Sequence, residues 1–206
     1  MAVADYLKPY QHALAEHGSG FDVTLWASEH TQRRRFEVFV EMLDLAGKRV
    51  LDAGCSRADF AAYLVERGIE YQRYVGVDGI CDVLDVARER RLPRCEYHCG
   101  DLVSEPKLLA AAAPQVTVVS GTLNTMKLGT AIKLLDLAWA GCGEALAFNF
   151  LSDRCDRRAP KQAYPARRLS AMKLLDWAFA RTWDVRYRQD YFPLGHDATI
   201  VMKKHG

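Results

Sequence analysis

The sequence predicts an α/β fold: a doubly wound, mostly parallel seven-stranded sheet closed by an antiparallel β-hairpin, with extra helices at the N-terminus. Three observations carry this reading. Short apolar, strand-like runs alternate with helical patterns five times between residues 50 and 181, which demands parallel strands with helices on both faces. Two β-type runs, 183–190 and 198–203, end the chain with no helical pattern between them, so they should pair antiparallel. No linker, repeat or low-complexity tract interrupts the chain, so residues 1–206 read as one domain, a helical cap over 1–46 and a core over 47–206.

The cap begins with a helix over 4–17, stopped by Gly18-Ser19-Gly20, and an irregular stretch follows over 21–26. Ser28 is placed to cap a second helix over 29–45, where Phe36, Phe39, Val40 and Leu43 recur at helical spacing before Gly47. Strands are expected at 50–53, 74–78, 94–99, 116–120 and 144–150. Helices follow them over 58–67, from Ile80 to a stop before Pro93, over 105–113 and over 126–140. After the last strand a polar loop, 151–166, leads into a helix that ends near Arg181.

Composition excludes several function classes. Half of the 206 residues are apolar and about a quarter are charged, as in an ordinary globular domain. A net charge of +2 gives no strong signal for nucleic acid or an anionic membrane as partner. No apolar stretch reaches membrane-spanning length, and the first residues show no basic leader before an apolar run, so the expected location is cytoplasmic. The six cysteines are scattered, and reduced, mostly structural thiols are expected. Cys95, His98 and Cys99 lie close together but lack a second ligand pair, so no metal is expected there.

In a doubly wound sheet, ligands bind outside the carboxyl ends of the strands, near the point where strand order reverses. The first strand ends in Asp52 and the small-residue turn Gly54-Cys55-Ser56, which leads into a helix and should leave backbone N–H groups free for a ligand. The second ends in Asp78-Gly79, about two dozen residues after Gly54, the spacing of a carboxylate that accepts hydrogen bonds from a ribose diol. The third leads to Gly100-Asp101-Leu102, the fourth to Ser120-Gly121 and Asn124, and the fifth to Asn149. A single aspartate at such a place is commonly a helix cap. Three at successive strand ends, beside a glycine turn, point instead to a donor-rich ligand.

Val50-Leu51-Asp52-Ala53-Gly54, with Asp78 and Asp101, resembles the cofactor site of class I S-adenosylmethionine-dependent methyltransferases from about residue 50 to 203. Trp26, Gln32 and Arg35-Phe36, then Ser120-Gly121 with Asn124, Phe148 to Ser152, and Asp190-Tyr191 with Pro193 narrow the resemblance to small bacterial members without an assigned substrate. The resemblance implies S-adenosyl-L-methionine as cofactor and a Rossmann-like sheet. It places Gly54, Cys55 and Ser56 beneath the methionine part, Asp52 at its amino group, and Asp78 with Gly79 at the ribose. Asp101 and Leu102 then meet the adenine, Ser120 and Gly121 border the site, and Arg35 meets the cofactor carboxylate. The family's Gly-x-Gly-x-Gly is here Gly54-x-Ser56-x-Ala58, with both replacements small.

An NAD-dependent enzyme is the weaker reading, because a dinucleotide fingerprint needs glycine at 56 and glycine or alanine at 59, where the chain has Ser56 and Asp59. A non-catalytic cofactor-binding or scaffold protein of the same fold is the alternative to an enzyme. The fourth strand lacks the Asn/Asp-Pro-Pro-Tyr/Phe motif of adenine or glutamine methylation and the Pro-Cys of cytosine methylation, which leaves small-molecule O-, N- or S-methylation or an unusual macromolecular target, with a small-molecule acceptor the expected partner. Candidates for acting on that acceptor are Asn124, Asn149, Tyr164 and His196. The basic loop 152–168 is expected to be either a cover over the acceptor pocket that favours an anion or a hydrated connection. Tyr6, Tyr10 and Trp26 are placed to wall the sulfonium, or simply to pack in the core.

Overall fold

Hydrophobic alternation along the strands sorts the core into two layers. In the computed structural model, which describes residues 3–205, seven strands form one sheet. They are β1 (Arg49–Ala53), β2 (Arg73–Asp78), β3 (Cys95–Cys99), β4 (Val116–Val119), β5 (Ala145–Leu151), β6 (Val185–Arg188) and β7 (Asp197–Lys203). The helices are α1 (Lys8–His17), α2 (Glu29–Met42), α3 (Asp59–Glu66), α4 (Cys81–Glu89), α5 (Lys107–Ala111), α6 (Leu128–Gly141) and α7 (Ala171–Phe179). Leu51, Val75, Val119 and Phe148 point to the face covered by α5, α6, α7 and the N-terminal Tyr6 and Leu7. Val50, Tyr74, Val118 and Ala147 point to the other, covered by α2 and α3. There Phe36 and Phe39 of α2 pack on Phe60, with ring centroids 5.1 and 5.9 Å apart. Each ring so buried stabilises the fold by about 1.5–3 kcal/mol.

The strand order is β3-β2-β1-β4-β5-β7-β6, with β7 inserted antiparallel between β5 and β6 and the other pairs parallel. The order reverses between β1 and β4, which puts the expected crevice at the carboxyl ends of those two strands. The seven strands, their mostly parallel order and the antiparallel ending all match the sequence expectation. Ser28 caps α2, its side chain accepting from the Thr31 N–H at 3.2 Å.

The differences lie at element ends. The first helix begins at Lys8, and Tyr6 and Leu7 instead pack into the core as a separate turn. Helix α2 stops at Met42, because Leu43 turns to extended backbone and buries its side chain. Residues 21–24 form a 3-10 turn. The final helix is shorter than expected, starting at Ala171 after Asp153 accepts the Ala171 N–H at 2.9 Å. The expectation of reduced cysteines is corrected for one pair: Cys81 and Cys99 are joined by a disulfide, while Cys55, Cys95, Cys142 and Cys155 are free. No described helix is long and apolar enough to cross a membrane.

Candidate functional site

At the β1/β4 crevice the chain forms a cavity of about 50 Å³ whose walls come from the exits of β1 to β4 and from the N-terminal cap. Gly54 and Ser56 line it from the turn after β1, Asp78 and Gly79 from the end of β2, Leu102 from the exit of β3, and Ser120 and Gly121 from the end of β4. Those are seven of the residues expected to hold the cofactor. Ile80 and Val83 add apolar side chains to the lining.

The turn is built differently from the expectation that its N–H groups stay free. The Gly54 and Cys55 N–H groups donate to the Val77 carbonyl at 2.8 and 3.1 Å, and the Ser56 N–H donates to Asp78 Oδ2 at 2.8 Å. Those donors lock the turn onto β2, so it offers close approach rather than free amides. A methyl group on Gly54, whose φ is +91°, would stand 2.0 Å from Thr122 Oγ1. That hydroxyl donates to the Ala53 carbonyl at 2.9 Å and ties β1 to the β4 exit. Ser56 and Ala58, where the resemblance has glycines, keep positive φ angles of 47° and 58°, so the backbone path survives the replacements.

Asp78 lines the cavity, and its two oxygens accept the Ser56 and Ile80 N–H groups, each at 2.8 Å. Burial raises its pKa against the pull of those donors and of the Gly79 N–H. Asp52 lies beneath, 1% exposed. Its Oδ2 accepts the Tyr74 hydroxyl, and its Oδ1 has no protein partner. Burial and the neighbouring Asp78 and Asp59 push its pKa up to about 7, against the Tyr74 hydrogen bond. Cys55 turns away under the sheet, its thiol over Gly76, where a methyl group would lie 2.6 Å from Sγ. It is not among the residues that line the cavity.

Two expected cofactor residues sit elsewhere. Asp101 lines a separate, open cavity, and its Oδ1 accepts the Tyr6 hydroxyl and, at 2.9 Å, the Val103 N–H. Burial raises its pKa, but hydrogen bonds from Tyr6, Val103 and Ser104 outweigh that and hold it below the usual carboxylate range. Arg35 is 5% exposed and engaged in a buried pair with Asp197, its Nε donating to Oδ2 at 2.8 Å. Its guanidinium lies 4.3 Å from the Trp26 ring centre and 4.6 Å from that of Phe192, and Nη1 donates to the Thr31 carbonyl at 2.8 Å. This arginine is thus already satisfied by protein partners.

The N-terminal cap closes the cavity from above with Tyr6, Leu7, Tyr10, Val23, Thr24 and Trp26. Leu7 rests on Gly79, where a methyl group would meet Cδ1 at 2.6 Å, and Trp26 rests on Gly121, where one would meet Cζ2 at 2.3 Å. The aromatic walls named from the sequence are therefore present at the cavity. Leu7, Val23 and Thr24 were not legible as lining residues, because nothing in their local pattern reveals which strand end they cover.

A second cavity of about 250 Å³ adjoins the first and shares Tyr10, Thr24, Trp26 and Gly121 with it. Arg35, Asn124 and His196 line it, and the loop 152–168 adds Pro160, Gln162, Pro165 and Ala166. None of the loop's basic side chains is among its lining residues. Arg168 instead pins the loop, donating to the Ser152 carbonyl at 2.8 Å and the His196 carbonyl at 3.2 Å. His196 Nδ1 is 3.0 Å from the Pro193 carbonyl, which can only accept, so in this hydrogen bond Nδ1–H donates. Asn124 accepts the Leu151 N–H at 3.3 Å through Oδ1. Asn149 is fully buried, accepting the Gly121 N–H at 2.8 Å and donating to Ser120 Oγ at 3.2 Å, so it shapes the β4 exit and does not line this cavity. Tyr164 is 81% exposed and borders the open cavity beside Asp101.

No protein-family model and no curated protein matches the sequence. Solved structures match it in shape. The chain is similar to an O-methyltransferase family protein from Burkholderia thailandensis, with a TM-score of 0.74 and 15% identity over 98% of this chain and 64% of that chain. It is similar to magnesium protoporphyrin IX methyltransferase from Synechocystis PCC 6803 with bound SAM, with a TM-score of 0.70 and 11% identity over 99% of each chain. The methyltransferase domain of a bacterial CtHen1 matches with a TM-score of 0.63 and 16% identity over 84% of this chain and 98% of that chain. At such identities the likeness is one of architecture: the chain has the Rossmann-like fold of class I methyltransferases.

Proposed function

We propose that the protein transfers a methyl group from S-adenosyl-L-methionine to a small-molecule acceptor. One observation carries the reading: Asp78 lines a glycine-lined cavity at the strand-order switch point, in a fold shared with methyltransferases. The donor and acceptor set fits that cofactor. Asp78 suits a pair of vicinal hydroxyls, and Ile80, Val83 and Leu102 suit a flat ring. The unpartnered Oδ1 of Asp52 suits an ammonium group reached directly or through water. A cavity of about 50 Å³ is smaller than the roughly 300–1,000 Å³ usual for small-molecule sites, so Tyr6, Leu7 and Trp26 must shift to admit the ligand.

When bound, the cofactor supplies the methyl group as an electrophile attached to sulfur. The chain's own task is to align the acceptor and exclude water, and alignment alone contributes several kcal/mol. Trp26 and Tyr10, shared by both cavities, form the wall along which the two ligands would meet. The acceptor cavity has no carboxylate among its lining residues, and the charge of Arg35 is balanced by Asp197, so it favours an acceptor without positive charge, such as a hydroxyl compound. His196 Nε2 is the atom to take the hydroxyl proton, its tautomer held by Pro193.

Transfer of an isotopically labelled methyl group to a panel of hydroxyl and amine acceptors tests the reading. Labelled ether or ester products are expected, with His196→Gln lowering kcat by about 100-fold and KM little changed. Cofactor binding without turnover across the panel would instead mark a non-catalytic protein of this fold.

A further inference from the structure

β3 is the outermost strand on the cavity side of the sheet and is paired only with β2. Its own residues are half-buried or exposed, so the strand itself contributes little apolar burial, and its exit is anchored through Leu102. Leu102 is also one wall of the first cavity. Non-covalent restraint beyond β3 comes from the burial of Leu102, the Gly100 N–H on the Asp78 carbonyl at 3.0 Å, the Asp101 N–H on Glu105 at 3.0 Å, the Glu105 N–H on the Asp101 carbonyl at 2.8 Å, and the Tyr6–Asp101 contact.

The covalent restraint is the Cys81–Cys99 disulfide, whose Cα atoms are 5.2 Å apart. Cys99 is the last residue of β3 and Cys81 the first of α4. The bond therefore joins the segment bearing Asp78, Gly79, Ile80 and Val83 to the segment bearing Leu102. Both cysteines are exposed, so a small thiol can reach the sulfurs.

We infer that Cys81 and Cys99 form a thiol–disulfide exchange site, open to small thiols and disulfides, whose oxidised form holds the first cavity in its binding shape. The inference rests on the cofactor reading for its ligand. In exchange with a dithiol, a reagent thiolate attacks one protein sulfur, the Cys81–Cys99 bond breaks, and a mixed disulfide forms. The second reagent thiol then closes its own disulfide, leaving two electrons and two protons on Cys81 and Cys99. Oxidised glutathione reverses this and leaves as two glutathione thiols. In the reduced state the exit of an edge strand is held only by those hydrogen bonds and the packing of Leu102 and Val103, and no covalent link fixes the distance between Ile80 and Leu102. Linkage makes the effect reciprocal: whatever factor reduction costs in affinity, bound ligand imposes on reduction.

The test uses the whole chain equilibrated with either oxidised glutathione or dithiothreitol. S-adenosylhomocysteine is expected to bind the oxidised form at least about fivefold more tightly by calorimetry. The double variant Cys81→Ser with Cys99→Ser should match the reduced form under both conditions. Amide hydrogen exchange supplies a readout that needs no ligand: reduction should speed exchange over residues 100–105 while 116–119 stay protected. If neither form binds S-adenosylhomocysteine but the exchange difference appears, the cofactor reading fails and the thiol site stands. Equal exchange in the two forms, or alkylation of both cysteines after treatment with oxidised glutathione, would overturn the inference.

Discussion

Gly54 and Asp52 show how single residues fix the candidate site. At φ +91°, with Thr122 Oγ1 only 2.0 Å from where a methyl group would be, Gly54→Ala must both strain the turn and displace the hydroxyl that bonds Ala53. A loss of about 1–3 kcal/mol in urea unfolding is expected, and an unchanged midpoint would contradict this account of the turn. Asp52 makes a pH prediction. Its pKa in the fold, about 7, lies above the roughly 3.9 of an unfolded aspartate. Between those values the folded protein keeps a proton that the unfolded chain has released, so this group lowers stability as pH rises through the window and contributes no slope below it. Asp52→Asn should flatten the fall in unfolding free energy between about pH 4.5 and 7.5. Parallel slopes for variant and wild-type would remove Asp52 as the source.

At the scale of elements, the cap and the closing hairpin are joined through one buried ion pair. Arg35 of α2 and Asp197 of β7 are 6% and 1% exposed in their side chains. The second Asp197 oxygen accepts the Tyr191 hydroxyl at 2.7 Å, and that hydroxyl lies 2.9 Å from Thr199 Oγ1. Removing the arginine leaves a buried carboxylate without its cation, so Arg35→Ala should lose about 3–5 kcal/mol in denaturant unfolding. The folded variant should keep near wild-type affinity for S-adenosylhomocysteine, since Arg35 lines the second cavity and not the first. A loss of affinity with stability intact would support the cofactor-carboxylate role expected from the sequence.

Across the whole molecule, what the sequence revealed is what is local. Gly54, Asp78, Leu102 and Gly121 could be placed because each lies at or just beyond the end of its strand, and a doubly wound sheet gathers strand ends at one edge. Asp101 was placed at the same edge, but its partner Tyr6 lies 95 residues away and carries no pattern that announces the contact. Arg35 meets Asp197 across 162 residues, and Cys81 pairs with Cys99 by the approach of a helix start and a strand end. Those pairings depend on how the cap and the edge strand settle on the sheet, which periodicity does not encode. The same limit applied to His196: its loop was legible, while its arrival beside the second cavity depended on β7 lying next to β5.

The central claim, that Asp78 and the glycine turn hold an adenosyl cofactor, is tested most directly by calorimetry of S-adenosylhomocysteine with the purified, nucleotide-free chain. The account predicts a single site that Asp78→Asn weakens by at least about tenfold, with unfolding stability retained. No measurable binding to the wild-type chain, or equal affinity in Asp78→Asn, would contradict it.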